Sequence, residues 1–139
     1  PLHLAVGLLG VPLGLLEYRI LLPTPLAPGL AWPAVLLPAL ILLLSTGFAE
    51  ELIFRGLMQR AAGAALGAWA GPLLITALFA VLHTGYRSWL DLAFVFLAGG
   101  LFAFLANRQG AIWGVSLAHG LTNIVLLLVG PLWIGRPAP

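Results

Sequence analysis

Apolar residues run through this chain in blocks, at about 2–16, 34–48, 72–82, 90–106 and 112–129, each bounded by charge, proline or glycine. A helix that crosses the hydrocarbon of a bilayer needs about 20 residues. The last two blocks approach that length unaided. The second reaches it if its helix continues through the polar stretch "STGFAEELIFRG" to about Ala62. The third is short and predicts a broken or buried helix supported by its neighbours. Between the first two blocks, "LLPTPLAPGLAWP" carries four prolines. They deny it a continuous helix and predict an interfacial loop or re-entrant stretch. In the polar turn "NRQG", Gly110 is the expected helix stop.

The remaining punctuation fits the same layout. Trp32, Trp69, Trp89, Trp113 and Trp133 fall at or near block ends, where amphipathic rings favour the headgroup region. In "GAALGAWAG", Gly63, Gly67 and Gly71 recur at intervals of four. That spacing suits either a small-residue helix contact or a glycine-rich loop. Gly99 and Gly100, inside the fourth block, predict a close backbone approach. Arg19, Arg60, Arg87, Arg108 and Arg136 occupy successive connections. Those connections alternate between the two sides of the membrane, so positive charge assigns no orientation.

Composition turns this pattern into a class. Of 139 residues, 62% are apolar and 7% are charged, against about 25% charged in a soluble domain. A chain so poor in charge cannot cover itself with a polar surface. The expected fold is all-α: a single multi-pass transmembrane helical bundle over residues 1–139, with about five membrane segments, some broken or short. The net charge of +2 comes from singly placed arginines. It gives no clustered basic stripe, so no nucleic acid is expected among the partners. Cysteine is absent, which removes disulfides, thiolate nucleophiles and CxxC metal sites. Residues 2–16 lack a basic leader region and a small-residue cleavage site, so they do not read as a secretory signal. The chain begins at Pro1, and an N-terminal part is expected to be missing.

A charge at the centre of a bilayer costs about 2.5–3.5 kcal/mol on insertion scales, so embedded polar groups pair or line cavities. Here they are Glu50, Glu51, Arg55, His83, Asp91, His119 and Asn123. Glu51 and Arg55 are four apart with the acid first, the favourable order for a helical ion pair. Glu50 then faces about 100° away and is left without a local partner, as suits a general base or acid. His119 and Asn123 share a helical face and suit either an oxyanion site or an interhelical contact. Asp91 reads as a solvated cap, Glu17 and Arg19 as interface residues, and His3 as incidental. Ser45, Ser88 and Ser116 have no Gly-x-Ser-x-Gly setting. A catalytic metal would need Glu50, His83 and His119 together, a His₂Glu set.

"EELIFRG", "FAVLH" and "HGLTN" fit Glu-Glu-x-x-x-Arg, Phe-x-x-x-His and His-x-x-x-Asn. In that order on successive helices, they resemble the CPBP family, also called the Abi or CAAX-protease-like family, over about residues 40–130. The resemblance implies a membrane-embedded endopeptidase. Glu50 and His83 would position and activate a water, His119 and Asn123 would form the oxyanion hole, and Glu51 and Arg55 would support them. Phe79 would pack. Members have been labelled metalloproteases, and the resemblance leaves zinc open as a cofactor while favouring none tightly bound. The implied partners are the lipid bilayer and a peptide or protein substrate at the membrane, with prenylated substrates as one class. The expected location is a bacterial cytoplasmic membrane. Two other readings stand beside this one: a non-enzymatic membrane partner or immunity protein that retains the fold, and a proton-coupled transporter. The transporter needs an internal repeat, and none is visible.

Overall fold

The computed structural model of the protein describes residues 2–29 and 31–134; Arg136 lies outside them. The helical stretches are α1 (Leu2–Leu21), α2 (Trp32–Leu66), α3 (Ala70–Val81), α4 (Trp89–Gln109) and α5 (Trp113–Ile134). There is no strand among the described residues. All but α3 are long and apolar enough to cross a membrane. The protein is an all-α integral membrane bundle. The five tryptophans sit at or beside helix ends and are between 63% and 86% exposed, an arrangement that suits an interfacial belt.

Two helices run beyond their apolar blocks. α1 continues through Glu17 and closes at Leu22, whose φ of 45° is left-handed and whose N–H returns to the carbonyl of Tyr18. α2 is unbroken through the acidic motif. Its stretches Leu42–Glu50 and Leu52–Met58 are wound as wide π-type turns, a rare geometry that concentrates at functional sites. Where the widening begins, Ser45 Oγ donates to the carbonyl of Ile41 at 2.6 Å and Thr46 Oγ1 to that of Leu42 at 2.7 Å. These hydroxyls compete with the backbone for helix carbonyls. The proline-rich connection is non-helical, and Leu26 N–H donates to the carbonyl of Leu127 at 2.9 Å. Ala27 is buried there against Leu42 and Leu128.

α5 is the hub. It packs along α1 and along the first half of α2, while the second half of α2 carries α3, and α3 packs on α4. Contacts between α1 and α4 close the ring. A missing side chain also lets α2 approach α5 closely beside the site. A Cβ on Gly47 would fall 2.8 Å from the carbonyl oxygen of Ser116 and 2.9 Å from Cα of Gly120. Within "GAALGAWAG" the roles divide. Gly71 abuts the backbone of Ala62 and Gly63, Gly67 turns the chain at φ 95°, and Gly63 faces open space.

Candidate active site

The close crossing of α2 and α5 brings the acidic pair beside His119. Glu51 is wholly buried. Its Oε1 accepts from Arg55 Nη1 at 3.1 Å and from His119 Nδ1 at 2.9 Å, while its Oε2 has no partner. Arg55 also donates Nη2 to the carbonyl of Gly99 at 3.1 Å and lies over the Phe79 ring, 4.3 Å from its centroid. A Cβ on Gly99 would fall 3.1 Å from that same nitrogen. α4 therefore offers bare backbone here. Gly100 makes no comparable approach. One buried ion pair thus ties α2, α4 and α5 together.

The same network sets the histidine tautomers. A carboxylate only accepts, so the hydrogen in the His119–Glu51 bond belongs to Nδ1. His119 Nε2 then faces Glu50, whose Oε2 is 4.0 Å away and whose side chain is 35% exposed. His83 closes α3 with Nδ1 2.8 Å from the carbonyl of Phe79. A carbonyl also only accepts, so Nδ1 carries that hydrogen and Nε2 of the neutral ring keeps its lone pair. Phe79 packs against both rings, with centroids 4.6 Å from His83 and 5.7 Å from His119. It spaces the two histidines.

His83, His119 and Asn123 line one small cavity of about 30 Å³, together with Glu17, Thr122 and aromatic walls from α3 and α4. A space of that size holds one or two waters. Glu50 stands outside this lining and meets the site at the Nε2 edge of His119.

Residues 31–125, well over half the chain, match the family described as type II CAAX prenyl endopeptidase Rce1-like. The chain belongs to this family. No curated protein and no solved structure matches it. The Rce1-like match makes the chain a member of a membrane peptidase family at the coarse level. It encloses the three motifs and stops short of α1.

Two residues depart from their sequence expectations. Glu17, read as an interface residue, is 6% exposed and lines the cavity. α1 does not end before it, and Gly10, Gly14, Glu17 and Tyr18 form one buried face. Arg19, one step round the helix, is exposed as expected. Asp91, read as a solvated cap, is 1% exposed and its Oδ1 is unpartnered. The cap of α4 is Ser88, whose Oγ accepts from Asp91 N–H at 3.2 Å. The repeat of glycines every three or four residues in α1, continued by one helical turn, points at Glu17 and was the signal available. His3, read as incidental, approaches Gln109 Oε1 at 2.9 Å through Nδ1. The proposed ligand set of Glu50, His83 and His119 is not gathered as one. Among the described residues no three His, Asp or Glu side chains group as a metal site.

Proposed function

We propose that this protein is an intramembrane endopeptidase that hydrolyses a peptide bond of a membrane-associated or lipidated substrate with a water activated by Glu50 and His83. The observation that carries the reading is the shared cavity: His83, His119 and Asn123, from two helices, line a space of one or two waters beside Glu50.

The proposed steps follow from the donors and acceptors. A water donates to the lone pair on His83 Nε2, which holds it in place. As its oxygen attacks the carbonyl carbon, its other proton passes to the Glu50 carboxylate, directly or through a second water. The carbonyl oxygen gains charge and is met by the Asn123 amide and by Nε2–H of His119 in its doubly protonated form. Preorganised donors of this kind contribute on the order of 10²–10³ in rate each. Glu50 then returns the proton to the leaving nitrogen as the C–N bond breaks. Glu51 and Arg55 keep His119 in register from beneath. No step is assigned to a metal, because the acid and histidines do not form a ligand cluster.

Matched peptides with and without a C-terminal prenyl cysteine motif, presented in lipid and read by mass spectrometry, test the substrate class. Cleavage of the prenylated peptide at one internal bond, with the unlipidated peptide spared, is the expected result. Equal cleavage of both would remove lipidation from the proposal. Cleavage of neither, across a panel of sequences, would defeat the peptidase reading.

A further inference from the structure

Glu17 lies outside the family match and outside the three motifs, yet it shares the cavity with His83, His119 and Asn123. It is more than nine-tenths buried and lines that cavity. The face of α1 that carries it is buried through Gly10, Gly14 and Tyr18, and Tyr86 lies within its electrostatic reach. Asp91, itself buried with an unpartnered oxygen, lies within electrostatic reach of both Glu17 and His83. A membrane helix that keeps a carboxyl group at such a place loses insertion free energy, and a packing role does not recover that cost.

A peptide bond brings one acceptor and one donor into the site. The proposed oxyanion donors serve the carbonyl oxygen, but the amide N–H also loses its water on entering. Its acceptor must come from the cavity wall. Thr122 Oγ1, turned to the carbonyls of Ala118 at 2.9 Å and Gly10 at 3.3 Å, and the Asn123 amide oxygen are neutral acceptors. Glu17 supplies the one carboxyl group among the described lining residues, and carboxyl acceptors make the stronger bond when ionised. We infer that the Glu17 carboxyl group accepts the N–H of the scissile amide. A carboxyl oxygen accepts in either protonation state. The amide thereby displaces a cavity water while reproducing its hydrogen bonds, the condition under which displacement does not weaken binding. Glu17 becomes a specificity residue for amides over esters.

The inference rests on the peptidase reading and is separable from it by one comparison. Wild type, Glu17→Leu and Glu17→Gln in lipid are each given a prenylated peptide and its depsipeptide twin, in which an ester oxygen replaces the scissile N–H. Glu17→Leu should lower kcat/KM on the amide by about 10- to 100-fold, the cost of leaving a buried donor unpaired, and leave the ester within about twofold. Glu17→Gln keeps a carbonyl acceptor and should restore most of the amide rate. The thermal midpoint of Glu17→Leu should equal or exceed that of wild type, since an apolar side chain replaces a buried carboxyl. Equal losses on amide and ester, or no loss on either, would overturn the role of Glu17 while the peptidase stands. If Glu17→Leu fails to fold, a Glu17→Gln rate on the amide no better than tenfold below wild type, with the ester equally slowed, overturns it as well. A wild type that cleaves neither substrate defeats the peptidase reading and this inference with it.

Discussion

Replacing Arg55 with Met removes the charge while keeping most of the side chain's length. The guanidinium makes three contacts: Nη1 to Glu51 at 3.1 Å, Nη2 to the Gly99 carbonyl at 3.1 Å, and its face to Phe79 at 4.3 Å. Removing one partner of a buried ion pair costs about 3–5 kcal/mol, because the surviving charge is left uncompensated. His119 Nδ1 still donates to Glu51, which places the loss at the lower end. The orphaned Gly99 carbonyl adds about 1 kcal/mol or more. The expected total is about 4 kcal/mol, a fall in thermal midpoint on the order of 10 °C. Unfolding would be followed by intrinsic tryptophan fluorescence in lipid nanodiscs. Adding Glu51→Gln removes the stranded charge, so the double variant should be more stable than Arg55→Met alone, by about 1–3 kcal/mol. An Arg55→Met variant within about 1 kcal/mol of wild type, or a double variant no better than the single one, would refute the claim that this pair ties the three helices.

Two further outcomes follow from the geometry. Gly47→Val should separate α2 from α5, because its Cβ meets the Ser116 carbonyl and the Gly120 backbone; overpacking of this kind costs about 1–3 kcal/mol, and turnover should fall further than stability as His119 moves off Glu51. Asn123→Leu should lower kcat by about 10²–10³ with little change in KM, measured on the best peptide of the panel; a change confined to KM would assign Asn123 to ground-state binding instead.

Much of the fold was legible because lipid imposes a simple rule: backbone must pair within its own segment, so apolar blocks become helices. Proline, glycine and tryptophan then marked the ends. The Glu51–Arg55 pair was readable too, since its partners are four residues apart on one helix. Asp91 and Glu17 were not. Each lies near the polar end of an apolar block, where sequence alone reads solvent, yet the folded bundle buries both. The second bond of Glu51, to His119, spans 68 residues and leaves no local trace. Helix period was a further limit. The 100° step assumed between Glu50 and Glu51 belongs to an α-helix, and this stretch is wound in wider π-type turns.

The central claim is that Glu50 activates a water for peptide hydrolysis without a metal. Wild type and Glu50→Gln, in lipid, should be compared on a fluorescent prenylated peptide, each with and without a strong chelator. The account predicts turnover by wild type that the chelator leaves unchanged, and a loss of at least about 10²-fold in Glu50→Gln. Wild-type turnover by Glu50→Gln would contradict the role of the glutamate, and loss of wild-type turnover in chelator would contradict the metal-free mechanism.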